Sequence, residues 1–417
     1  MRILKLNPKT ETALLKLRRS HDRAAYRIAS RIIGDVQKRG DRALLAWSAK
    51  LDGDAVRDKG LWIGRAEMAA ASRRVDPQFL RAVQHAAANV RRVAERQLPR
   101  PWNLRVEPGI AIRQLVRPLD SIGCYIPGGR FALLSTLVMT VVPAQVAGVP
   151  RILAACPRPN DELLATAHLL GVREFVRVGG AQAIAALAYG TRQIAPVEKI
   201  CGPGNRFVTA AKQMVSADCA IDMPAGPTEA VVLADTGNPV WIAADLLAQA
   251  EHAPDAGSYL VTPSAAFAHR LQHEVLRQLK TLPKENPAHQ SMRKTGAILL
   301  ARSLEQACEF VNRFAPEHLS LPTNGEKLLG KIRSSGTVFL GPLSAQPFGD
   351  YASGSNHVLP TGGWARRRGG LSASDFVKCI TVQEISGPGF RSLANHVESL
   401  ARAEGLLAHA HAVEVHR

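Results

Sequence analysis

The sequence predicts an α/β protein with two parallel-sheet domains and small helical segments at its ends. Three observations carry this. The opening stretch is helical in pattern, short apolar runs then alternate with longer helical stretches, and a second alternating series follows the first. Strand and helix in alternation argue for parallel sheets covered on both faces.

The helical opening comprises residues 23–39, 66–73 and 77–96, rich in Ala, Arg and Val at helical spacing. In the first series, 122–126, 151–155, 175–178 and 221–223 read as strands, and 133–148, 161–170, 181–189 and 207–214 as the helices between them. In the second, 230–234, 258–262, 297–300, 319–321 and 338–340 read as strands, with helices at 239–250, 265–279 and 304–313. The segment from about Leu371 ends in a helix near 389–407 and is too short for its own core. It is expected to rest on another unit, of its own chain or of a second subunit.

The totals fit this division. A chain of 417 residues exceeds what one hydrophobic core serves, about 250–300 residues, so two or three domains are expected. Hydrophobic residues at 46% and charged residues at 21% exclude disorder. The net charge of +18 raises nucleic-acid binding. Yet Lys and Arg are scattered, with only short clusters such as Arg366-Arg367-Arg368, and few aromatics interleave with them. Positive surface also attracts small anions such as dinucleotides. Neither nucleic acid nor a membrane is expected as a partner. The stretch 131–149 has no charged residue but carries Ser135, Thr136, Thr140, Pro143 and Gln145, which suits a buried helix better than a membrane span. Six scattered cysteines, Cys124, Cys156, Cys201, Cys219, Cys308 and Cys379, form no CxxC pair, and the N-terminus has no continuous apolar run. A reducing, cytoplasmic setting is expected.

Several segments carry polar side chains suited to chemistry. Gln249 and His252, three apart in Gln249-Ala250-Glu251-His252, share a face at the end of a predicted helix. Ala315-Pro316-Glu317-His318-Leu319 puts two proton-transfer groups at the mouth of a strand, and histidine titrates near ~6.5, which suits base work at neutral pH. The glycine-punctuated loop from Gly349 to Thr361 holds Asp350 and His357, and Glu404 and His409 lie near the end. Gln, His, Asp and His are ligands that Zn²⁺ accepts, but spacing alone does not assemble them. Glycine turns at Tyr125-Ile126-Pro127-Gly128-Gly129, Val178-Gly179-Gly180-Ala181-Gln182 and Cys201-Gly202-Pro203-Gly204-Asn205 free backbone N–H groups for a phosphate at a helix N-terminus. There is no GxGxxG, so the two Rossmann-like domains are incomplete in that respect.

These motifs, with 179–188, 222–227 and 245–252, resemble those of the histidinol dehydrogenase family in order and approximate separation, over essentially the whole chain. The resemblance implies oxidation of L-histidinol through L-histidinal to L-histidine with two NAD⁺, the last steps of histidine biosynthesis. It implies one zinc per subunit on Gln249, His252, Asp350 and His409, and general bases at Glu317 and His318. It places substrate contacts on Thr228, His357 and Glu404, beside Gln249, His252, His318, Asp350 and His409. NAD⁺ contacts fall on Tyr125, Gln182 and Asn205. Thr228 stands where the family has Ser, and Ala253 where Gly is common. The family is a homodimer whose C-terminal segment crosses to the partner, which would carry Glu404 and His409 into the neighbour's site. The implied division is a helical segment 1–19, an α/β domain 20–124 with 228–371 carrying metal and catalytic residues, an NAD-binding α/β domain 125–227, and the C-terminal segment 372–417. The alternatives are a related dehydrogenase of another amino- or sulfo-alcohol, a zinc hydrolase using Glu317 on a metal-bound water, and a non-catalytic RNA binder.

Overall fold

The computed structural model describes residues 1–18, 22–53, 55–128, 133–224 and 226–417. Residues 19–21, 54, 129–132 and 225, which fall in segments named above, lie outside the described residues. The strands are β1 (Arg2–Lys5), β2 (Trp102–Glu107), β3 (Ile110–Pro118), β4 (Ser121–Tyr125), β5 (Arg151–Ala155), β6 (Glu174–Val176), β7 (Lys199–Cys201), β8 (Ala220–Ile221), β9 (Glu229–Leu233), β10 (Gly257–Thr262), β11 (Ala297–Leu300), β12 (His318–Leu321), β13 (Thr337–Leu340) and β14 (Val377–Ile385).

Two parallel sheets form the core. One runs β6-β5-β4-β7-β8 and the other β1-β11-β10-β9-β12-β13. The same winding occurs in each. A central strand, β4 or β9, is followed by two strands on one side and then two on the other, so each sheet has a switch point beside its central strand. The two similar α/β units expected from the sequence are therefore both present. β1 extends the second sheet by pairing in parallel with β11. A third, antiparallel sheet, β14-β3-β2, was not expected. Its strands carry Arg105, Glu107, Arg113, Arg117, Lys378 and Glu384 and lie largely exposed, so no apolar run marked them.

Local chemistry explains the helices that matter. Arg23–Arg39 starts at Asp22, whose carboxylate accepts from the backbone N–H groups of Ala24 and Ala25. Ala25, Ala29, Ile32, Ile33 and Val36 then form its buried stripe. Leu134–Ala147 is buried almost all round, which accounts for its lack of charge, and it stops at Gly148 in the left-handed region (φ 84°). Among the described residues no helix is long and apolar enough to cross a membrane.

One grouping differs from expectation. The N-terminal helices were placed with residues 228–371, but they cover the other sheet. Ala25, Ile32 and Leu44 are buried in one cluster with Ile184, Leu187 and Val208, and Met68, Val83 and Val90 in another with Leu137, Val141 and Phe175. The amphipathic pattern shows that a helix buries one face; it does not show which sheet receives it. At the other end, β14 joins its own chain's β3, and helices Gly387–Ala403 and Leu407–Glu414 pack on each other. This arm leaves Ile380, Val397, Leu400, Leu407 and Val415 exposed.

Candidate active site

The amino ends of two adjacent strands gather most of the candidate residues. Thr228 directly precedes β9, and Glu317 directly precedes β12, which His318 opens in register with Ala230. Gln249 and His252 come from the C-terminal end of helix Pro239–Ala250. Asp350 sits on helix Gln346–Tyr351, which packs against it, and His357 lies in the loop that follows. Residues separated by more than a hundred positions thus share one edge of the sheet.

A chain of hydrogen bonds ties them. Gln346 Nε2 donates to Gln249 Oε1, Gln249 Nε2 donates to Thr228 Oγ1 at 2.7 Å, and Thr228 Oγ1 donates to Glu317 Oε2 at 2.5 Å. The backbone N–H of Glu229 donates to the same Glu317 oxygen at 2.9 Å. His318 lies between two carboxylates: Nδ1 is 3.7 Å from Glu317 Oε2 and Nε2 is 3.5 Å from Asp350 Oδ1. Its ring stacks on Phe339. Both ring nitrogens are buried without a close hydrogen-bond partner.

The electrostatics follow from this placement. Burial lowers the His318 pKa, but Glu317 and Asp350 outweigh it, so the imidazole titrates above its ordinary 6.5. Burial raises Asp350, but His318 outweighs it and the carboxyl lies below 3.8. His357 is held below 6.5, mainly by burial. Burial also pushes Glu229 up to about 7, against the opposing pull of Arg18.

Two histidines have fixed tautomers. His252 Nδ1 is 3.0 Å from the Ala248 carbonyl and His357 Nδ1 is 2.7 Å from that of Asp350. A carbonyl only accepts, so Nδ1 carries the proton in each; Nε2 of the neutral ring then accepts, and in His357 it lies 3.3 Å from the Thr136 hydroxyl. For His252 this is the orientation of a metal-ligating histidine, with Gln249 and Asp350 close by. A Gln oxygen, an imidazole nitrogen and a carboxylate are a donor set that suits Zn²⁺. Among the described residues no three His, Cys, Asp or Glu side chains of this chain form a metal group, and the helix that carries His409, Leu407–Glu414, packs on Gly387–Ala403. His409 and Glu404 lie exposed on and beside the last helix.

Tyr125, Gln182 and Asn205 gather elsewhere, at the carboxyl edge of the five-stranded sheet. They flank its switch point, where open α/β sheets bind ligands. Tyr125 ends β4 and its hydroxyl accepts from the Gly180 N–H at 3.1 Å. Asn205 caps helix Arg206–Val215. Gln182 donates to Asp52 Oδ2 at 2.9 Å, while its buried Oε1 has no partner. The N-terminus of helix Arg206–Val215 is exposed, as an anion site at a helix start requires, whereas that of Gly180–Tyr189 is largely buried and its Gly179 and Gly180 N–H groups already donate to Asp52 and Tyr125.

Sequence reasoning missed Arg18, Asp52, Glu229 and Gln346. Only Glu229 left a signal, as a charge inside the otherwise apolar run Glu229–Leu233.

Comparison with known proteins is consistent along the chain. The family profile described as histidinol dehydrogenase matches residues 16–417. A histidinol dehydrogenase of Methanothermobacter thermautotrophicus is 45% identical over 386 residues, covering 91% of this chain and 90% of the relative. That of Escherichia coli K12 is 44% identical over 393 residues, covering 93% and 90%. The crystal structure of histidinol dehydrogenase from Elizabethkingia anophelis superposes with a TM-score of 0.93 at 37% identity, covering 100% of this chain and 97% of that one.

Proposed function

The chain belongs to the histidinol dehydrogenase family and is an NAD-dependent dehydrogenase of histidine biosynthesis, and from that premise we propose how its residues divide the oxidation of L-histidinol. The observation that carries the proposal is the placement of His318 between Glu317 and Asp350, at the strand edge that also holds Thr228, Gln249 and His252.

In the first half-reaction the alcohol loses a hydride and a proton to give L-histidinal. His318 takes the hydroxyl proton, and the neighbouring carboxylates stabilise the imidazolium that results. In the second, one water adds to the aldehyde, and a second hydride and proton leave to give L-histidine. Glu317 activates that water, held in position by Thr228 and the Glu229 N–H. Tyr125, Gln182 and Asn205 would hold NAD⁺, which when bound would supply the hydride acceptor for each half-reaction. Zn²⁺ on Gln249, His252, Asp350 and a partner's copy of His409 would orient the substrate's imidazole and amine. His357 Nε2 and Glu404, the latter from the second copy, complete the substrate contacts.

The protein works as a homodimer in this reading. The apolar side chains exposed on the C-terminal arm, with Trp102, Leu104 and Val106 of β2, supply the surface a second copy would cover. All six cysteines are free, which supports a reducing, cytoplasmic setting.

The test is NADH formation from L-histidinol with and without chelator, and single-turnover NADH formation started separately from histidinol and histidinal. His318→Asn slows the alcohol step by about 10²–10⁴-fold, as for a lost general base. Glu317→Gln, which keeps shape but loses the carboxylate, impairs mainly the aldehyde step. Equal loss in both steps would overturn the division, and turnover without NAD⁺ would mark a hydrolase instead.

A further inference from the structure

We propose that Arg18, far from the catalytic residues in sequence, is a positioning residue that acts through Glu317. Its side chain and that of Glu229 are almost wholly buried, at 7% and 4% exposure. Arg18 Nε donates to Glu229 Oε2 at 2.5 Å, and Nη2 donates to the other carboxylate oxygen. The remaining donors reach Phe314 and Ala315: Nη1 donates to the Phe314 carbonyl and Nη2 to that of Ala315 at 3.2 Å. The guanidinium also lies 3.6 Å from the centre of the Phe314 ring.

Those carbonyls end helix Leu304–Phe314, where the chain turns through Ala315 in the left-handed region (φ 49°). A residue with a Cβ rarely adopts that conformation unless its surroundings enforce it. Two residues later comes Glu317. Its carboxylate is held from the other side by Thr228 and the Glu229 N–H. One guanidinium therefore fastens the helix end before Glu317 to the strand start that receives the Glu317 carboxylate. His318 depends on it less, because its backbone lies in the ladder between β9 and β13. A buried ion pair is weak evidence of a stability role, since apolar pairs of similar volume often hold a fold as well. What an apolar pair could not replace is the link to the two carbonyls.

The inference rests on Glu317 taking part in the reaction, and the experiment separates the two ideas. Single-turnover NADH formation from histidinol and from histidinal is measured for Arg18→Met, Arg18→Met/Glu229→Met, Glu317→Gln, and each Arg18 variant combined with Glu317→Gln. Arg18→Met slows whichever step Glu317→Gln slows, by about 10- to 100-fold, the scale of a catalytic group displaced by about 1 Å. The pair Arg18→Met/Glu229→Met recovers thermal stability but not that rate, and it replaces Arg18→Met in every comparison if the single variant does not fold. Adding either Arg18 variant to Glu317→Gln produces no further loss beyond about twofold, because a positioning residue has nothing left to position once the Glu317 carboxylate is gone. Losses that multiply, or wild-type rates in the apolar pair, overturn the role of Arg18 while leaving that of Glu317 intact. Wild-type rates in Glu317→Gln alone would remove the role of Glu317 and this inference with it.

Discussion

Asp245→Asn makes the protein more stable, and only above weakly acidic pH. Asp245 lies on the helix that carries Gln249 and faces a cavity of about 10 Å³ lined by Val231, Leu246, His318 and Phe339. Burial alone pushes its carboxyl from the ordinary 3.8 up to about 6. A folded-state pKa above the unfolded one means that folding favours the protonated acid. The charged form then costs stability: nothing below about pH 4, progressively more up to about pH 6, and a constant amount beyond. A shift of about 2 units corresponds to about 3 kcal/mol as an upper bound. The group is only partly buried, so solvent screening reduces this to about 1–2 kcal/mol. Asn keeps the shape and removes the charge. Urea midpoints of wild type and variant, taken from about pH 4.5 to about pH 8, give the difference directly, and contributions from groups common to both, such as Glu229, cancel. The advantage of the variant grows across that range and levels off above about pH 7. A difference independent of pH, or a variant less stable than wild type at high pH, would show that the carboxylate is compensated or used, and would refute the reasoning.

Three further outcomes follow from the same structure. Gly202 adopts φ 116°, and a Cβ there would overlap the Tyr125 carbonyl oxygen, so Gly202→Ala weakens NAD⁺ binding and lowers stability by more than about 1 kcal/mol; unchanged NAD⁺ titration and melting would contradict the close approach. The residues proposed to hold zinc lie at one sheet's amino edge and those proposed to hold NAD⁺ at the other sheet's carboxyl edge, so chelation is expected to abolish turnover but leave NAD⁺ affinity within about threefold, a coupling below about 1 kcal/mol; a larger loss means the two sites are linked. Mixing inactive His318→Ala and His409→Ala chains restores up to one working site per hybrid dimer, and no recovery after proven subunit exchange counts against a site shared between subunits.

The order of amino acids already specifies the kinds of element and the chemistry available. Alternating apolar runs marked the strands of both parallel sheets apart from β1 and β7, because a buried strand must be apolar whatever its neighbours. The glycine turns were legible because a tight turn or left-handed backbone restricts residue type, as at Gly202. Glu317-His318 stood out because a charged pair at the mouth of an apolar strand is costly unless used. The exposed sheet of β2, β3 and β14 left no such mark, since charged strands that bury little have no pattern to show. Which residues meet is set by the fold alone. Arg18 and Glu229 are 211 positions apart, and nothing local to Arg18 distinguishes it from the other arginines of a basic chain. The sheet that receives the N-terminal helices was likewise undecided, because a hydrophobic stripe specifies burial without specifying a partner. Nor could spacing assemble Gln249, His252 and Asp350: sequence patterns record the periodicity of single elements, whereas a site is made where separate elements are brought to one edge by the order of strands in a sheet.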